Sequence, residues 1–105
     1  MFIRMTFAKI KPNRANAARR LYMDEVIPAH KNHQGLRFVH LLESLENNEA
    51  ITVTAWDSKQ DAVAYEKSGD HEKMLAWFKD MFDGEPVSKA FELTASSEPL
   101  LLRIF

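Results

Sequence analysis

Four short runs of this 105-residue chain carry apolar side chains at both odd and even positions. Side chains alternate between the two faces of a strand. Runs of this kind therefore cannot sit in a sheet that keeps one face wet. In Phe2–Lys11, Ile3, Met5 and Phe7 share one face, while Phe2, Thr6, Ala8 and Ile10 share the other. In Leu36–Leu45, Leu36, Phe38 and Leu42 share a face and Val39 and Leu41 its opposite. Ala50–Trp56 follows after Asn47-Asn48, a pair that tolerates a tight turn, so these two runs read as an antiparallel hairpin. In Val87–Ser96, Val87, Lys89, Phe91, Leu93 and Ala95 lie together.

Two helical patterns separate the strands. After Pro12, with Asn13 as a candidate N-cap, residues Ala18, Leu21, Tyr22, Glu25, Val26 and Ala29 fall on one stripe at helical spacing. Pro28 should bend or end that helix within a turn, and Gly35 permits the reversal that follows. Asp57-Ser58 opens the second pattern, which Ser68, Gly69 and Asp70 interrupt. Asp70 can cap the second piece, where Met74, Leu75, Trp77, Phe78, Met81 and Phe82 are strongly apolar.

The order β-α-β-β-α-β predicts an α+β, ferredoxin-like domain spanning residues 1–105. It has a four-stranded antiparallel sheet with both helices on one face. The other face would leave an apolar patch larger than a soluble monomer usually carries. A second copy of the chain, packed sheet against sheet, is expected to cover it. The short tail from residue 98, with Leu100, Leu101, Leu102, Ile104 and Phe105, either reaches across that interface or folds back on its own helices.

Composition excludes several function classes. The formal net charge is -1 with both signs mixed, so nucleic acid is not an expected partner. The chain has no cysteine, which removes disulfides, thiolate chemistry and sulfur-based zinc sites. This fits a reducing cytoplasm, the expected location. The N-terminus lacks the apolar run of a signal peptide, and no stretch approaches the roughly 20 residues of a membrane span. Gly-rich phosphate loops, serine elbows and dinucleotide fingerprints are absent. Any chemistry must come largely from a substrate or a bound group.

Most of the candidate site residues lie between Ala50 and Phe82. Trp56 is either core or a wall for a planar ligand between sheet and helix. Tyr65 either donates a hydrogen bond to a ligand or caps the core. His71 follows Asp70 near a helix N-terminus, where the dipole disfavours the imidazolium and suits a neutral base. His40 lies within the second strand, as a buried histidine or a pocket base. Phe38, Met74, Trp77 and Phe78 are candidates to line the ligand pocket. His30 and His33 are spaced i,i+3, a weak metal signal without a nearby carboxylate pair, and no metal site is assigned.

The stretch Ile51-Thr-Val-Thr-Ala-Trp56-Asp-Ser58-Lys-Gln60, followed by Tyr65, Ser68 and His71, resembles the antibiotic biosynthesis monooxygenase domain. The upstream Gly35-Leu36 and the element order agree. The resemblance implies a dimeric α/β barrel, in which two sheets pack face to face. It also implies one of two activities: cofactor-independent oxidation of a small aromatic, polyphenol or quinol by oxygen, or haem degradation. On the first, Trp56 matches the family tryptophan, Tyr65 lies where members carry an aromatic or histidine, and His71 matches the recurrent histidine. On the second, the family's haem-ligand position falls near Met74 or Leu75, the first strand has no Asn, and Tyr65 replaces the helix Trp. Haem would then require a shifted ligand, His71. A dimer that binds haem or a small aromatic without turnover is a further reading.

Overall fold

The computed structural model describes residues 1–98. The chain runs β1 (Phe2–Lys9), a 3-10 turn (Pro12–Arg14), α1 (Ala15–Leu21), a π turn (Tyr22–Val26) and α2 (Ile27–His30). It continues as β2 (Leu36–Glu43), β3 (Glu49–Trp56), α3 (Lys59–Lys67), α4 (Asp70–Trp77), a 3-10 turn (Lys79–Met81) and β4 (Val87–Glu92). The strands form one antiparallel sheet in the order β2-β3-β1-β4. This is the expected α+β, ferredoxin-like arrangement. Among the described residues no helix is long and apolar enough to cross a membrane. The expected ends of the first, second and fourth strands were too generous. β1 gives way to a single bridge between Ile10 and Phe82, and β2 stops where Ser44 Oγ takes the backbone N–H groups of Glu46 and Asn47. The tail beyond Glu98 lies outside the described residues.

Two helix caps differ from expectation. Asn13 lies inside the 3-10 turn and caps nothing, and the second helical piece starts from Gly69, at φ +88, not from Asp70. Ser58 does cap α3: its Oγ accepts from the Asp61 N–H at 3.2 Å and donates to Asp61 Oδ2 at 3.0 Å.

The first helix does not follow a straight stripe. Ala18, Tyr22, Val26 and His30 are buried, while Glu25 and Ala29 are exposed. Four-residue steps drift by about 40° each in a regular α-helix. The π turn, in which the Ile27 N–H reaches back to the Tyr22 carbonyl, is wider and recovers that drift. It lies just ahead of Pro28, whose ring would clash with the carbonyl four residues back in a regular helix.

The sheet is apolar on both faces. Toward the helices, Ile10, Ala18, Tyr22, Val26, Ala50 and Phe78 form one cluster, and Phe2, Trp56, Ala62 and Tyr65 a second. On the helix-free face the register aligns Phe38, His40 and Leu42 of β2 with Ala55, Val53 and Ile51 of β3. β1 adds Ile3, Met5 and Phe7, and β4 adds Phe91, Lys89 and Val87. Val87 and Phe91 remain 52% and 44% exposed there. One residue breaks the expected alternation. A bulge between Leu36 and Phe38 sends Leu36 to the Trp56 cluster under the helices, so it does not share a face with Phe38.

Candidate active site

Between the helices and the sheet lies a cavity of about 240 Å³. Its walls are largely apolar: Ala8, Ile10, Ala18, Leu41, Met74, Leu75, Phe78 and Phe82. Exposed polar residues of the β2–β3 connection, Ser44, Asn47 and Asn48, stand at one end with Arg19 and Glu43. There the Arg19 guanidinium donates a fork to Glu43, at 2.7 and 2.9 Å, tying α1 to β2. That contact holds the Glu43 carboxyl below its ordinary pKa.

A second cavity, of about 20 Å³, adjoins the first. It is lined by Arg4, Thr6, Tyr22, His30, Thr52, Thr54, Trp56, Ala62, Tyr65, Glu66, His71 and Met74. Thr6, Tyr22, Thr52, His71 and Met74 line both cavities and so form the partition. The floor is the helix-facing side of β1 and β3, where Arg4 and Thr6 pair with Thr54 and Thr52.

Tyr65 is the hub of an aromatic group. Its ring lies 5.3 Å from Trp56, 5.1 Å from His30, 4.6 Å from His33 and 5.7 Å from His71, centroid to centroid. Burial pushes the Tyr65 and Tyr22 phenols well above their ordinary pKa, so both stay protonated. Tyr22 donates to the His40 carbonyl at 3.1 Å, whereas among the described residues the Tyr65 hydroxyl meets only the Met74 sulfur, at 4.0 Å. Trp56 is fixed by its indole N–H on Thr54 Oγ1, at 2.9 Å.

Two histidines, His71 and His30, are held mainly neutral. Burial lowers the His71 pKa, opposed in part by Glu66. Burial likewise lowers that of His30, with His33 and His71 adding to the effect. The bond between His30 Nδ1 and the Val26 carbonyl, 2.8 Å, fixes the tautomer: a carbonyl only accepts, so Nδ1 carries the hydrogen. His33 leans on Asp70, with Nε2 3.5 Å from Oδ2. No group of three or more His, Cys, Asp or Glu among the described residues could hold a metal ion.

The residues 1–77 match the sequence profile of the antibiotic biosynthesis monooxygenases. The chain belongs to that family. Solved structures give the same fold at low identity. A candidate antibiotic biosynthesis monooxygenase of Nitrosomonas europaea superposes with TM-score 0.76 at 12% identity, covering 90% of this chain and 100% of its own. A candidate of Deinococcus radiodurans gives 0.77 at 14%, covering 93% and 97%. A Streptomyces coelicolor monooxygenase, solved with Nanaomycin D, gives 0.72 at 14%, covering 93% and 91%. No curated protein matches in sequence.

Within this monooxygenase-family domain, Trp56, Tyr65, His71 and Met74 converge on the small cavity, and Phe78 lines the large one. The other candidates lie elsewhere. His40 and Phe38 stack on each other at 4.4 Å on the helix-free face of the sheet, so His40 lines neither cavity and is not placed to act as a pocket base. Trp77 is 44% exposed and lines neither cavity. His30 was weighed only as a metal ligand, and Tyr22, Arg4, Thr6, Thr52 and Thr54 were not anticipated as site residues. A signal for the last four exists: polar residues interrupt the helix-facing parity of two adjacent strands, Phe2-Arg4-Thr6-Ala8 and Ala50-Thr52-Thr54-Trp56.

Proposed function

We propose that the domain is a monooxygenase that oxidises a small aromatic or quinol with O2, without a cofactor. The observation that carries this reading is the arrangement at the inner end of the cavity. His71, kept neutral by burial, faces both cavities beside the protonated Tyr65 and the wall of Trp56. A neutral imidazole takes a proton from a ring hydroxyl or an activated ring C–H. Tyr65 donates a hydrogen bond to the oxygen on which negative charge then develops. The anion gives its electrons to O2, a C–O bond forms, and the peroxide is protonated. Loss of water leaves a carbonyl, so one oxygen atom stays on the product and one leaves as water. Met74, Phe78 and Leu75 keep bulk water away from the anion.

The residues do not suit haem. Met74 and Leu75 stand at the position where the family resemblance places the ligand, and a cavity of about 240 Å³ suits one or two fused rings, not a tetrapyrrole. A carrier that binds a small aromatic without turnover is the reading to separate experimentally. Oxygen consumption is measured with a panel of hydroquinones for the wild type and His71→Ala. Uptake that falls about a hundredfold or more in the variant is expected. Binding with no oxygen consumption would leave the carrier.

The assembly is proposed to be a homodimer through the helix-free sheet face. The apolar row Phe7, Ile51, Phe91 and Val87 on that face supports it. Phe38 and His40 then belong to the interface and not to the ligand.

A further inference from the structure

We propose that the small cavity is a hydroxyl-binding subsite of the larger one, with His30 Nε2 as its fixed acceptor. The ring of an aromatic ligand would occupy the large cavity, and a single O–H on that ring would enter the small one.

His30 is 2% exposed, and its Nδ1 hydrogen is committed to the Val26 carbonyl. The bare Nε2 has no hydrogen-bond partner among the described residues, yet the ring lines the 20 Å³ cavity. A buried acceptor without a donor is costly, so a group of this kind points to an occupant that supplies a hydrogen. Dioxygen carries none. The space admits about one oxygen-sized group. A metal ion is disfavoured, because the nearby carboxylate, Glu66, is tied to Arg4. The ring side follows from the neighbouring cavity. A dry apolar cavity of about 150 Å³ takes up benzene, and the 240 Å³ here has room for one or two fused rings. Met74, with three rotatable bonds, is the movable part of the partition between the two spaces.

This inference rests on reading the large cavity as an aromatic site, but not on turnover. It is tested by titrating the protein with 2-naphthol, 2-methoxynaphthalene and naphthalene, followed by fluorescence. 2-Naphthol is expected to bind at least tenfold more tightly than the other two, which offer Nε2 no hydrogen. His30→Phe should abolish the preference, and His30→Gln, whose carbonyl still accepts, should keep part of it. A wild-type measurement guards against a variant that does not fold. The His30 Nε2 nitrogen resonance should shift toward a hydrogen-bonded acceptor with 2-naphthol and not with the methyl ether. Equal affinities, no binding of 2-naphthol, an unmoved His30 resonance, or a preference that survives in folded His30→Phe would each overturn the subsite. If 2-naphthol binds through His30 while no hydroquinone consumes oxygen, the subsite stands and the monooxygenase reading falls. Oxygen uptake without a hydroxyl preference is the reverse.

Discussion

At the scale of single residues, buried His30 and half-buried His71 tie acid stability to the site. Both titrate below the ordinary 6.5 in the folded chain. Above pH 6.5 neither state holds the proton, and the shift contributes nothing. As pH falls through 6.5 the unfolded chain takes up protons first, so stability is lost down to the folded-state pKa. Melting temperature should therefore drop between pH 7 and 5, and His30→Gln should flatten that slope. A slope unchanged in the variant would remove His30 as its source. Tyr65→Phe keeps the ring packing against Trp56 and removes only the hydroxyl. Its oxygen uptake should fall about tenfold or more while the melting temperature moves little. His71, Tyr65 and Trp56 were legible in the sequence because they follow one strand end within a short local span. His30 was not. Its inward direction depends on a change of helix winding that a constant 3.6-residue period does not contain.

At the scale of elements, Gly35 controls how β2 enters the sheet. It sits at φ +79, and its carbonyl takes the Asp57 N–H at 2.8 Å. An added Cβ would collide with Asp61 Oδ2, the same oxygen that receives the Ser58 hydroxyl at the start of α3. Gly35→Ala thus combines backbone strain with a disturbed cap, and should cost about 2 kcal/mol or more in denaturant unfolding. Gly69, at φ +88 with open space around its Cβ position, should cost about 1 kcal/mol as Ala, from the backbone alone. The element order and the pairing of strands were readable from alternation and turn residues. The bulge beside Leu36 was not, because an extra residue in a strand leaves apolar content unchanged and alters only which face each side chain meets.

At the scale of the molecule, the two faces of the sheet differ in what lies against them. The helix-facing side carries the cavities, on a floor of Thr6, Thr52 and Thr54. The opposite side carries Phe7, Ile51 and Phe91, with the Lys89 ammonium 5.4 Å above the Phe7 ring. Wild-type protein should sediment at twice the chain mass, and Phe7→Asp should sediment as a monomer. A wild type that remains monomeric at high concentration would leave the face uncovered and the proposed dimer unsupported. The apolar character of both sheet faces was visible from the sequence as apolar residues at both parities. What no periodicity could show is that polar residues on one face mark a cavity, since a threonine in a strand is equally at home beside solvent.

The wide turn in the first helix has an evolutionary consequence. Its extra residue and Pro28 form a compensated pair. Without the extra residue, the proline ring would meet a carbonyl in a regular helix, at a cost of about 3 kcal/mol. Without the proline, the wide turn has lost one reason to persist. An in-frame deletion of the exposed Asp24 should therefore be harmful alone and tolerated together with Pro28→Ala. Such a double variant keeps 11 residues from Ala18 to the present His30, a spacing that returns to the same side of a regular helix within about 20°. Lineages of this domain are then expected to gain or lose the residue and the proline together, with the inward histidine kept through the change.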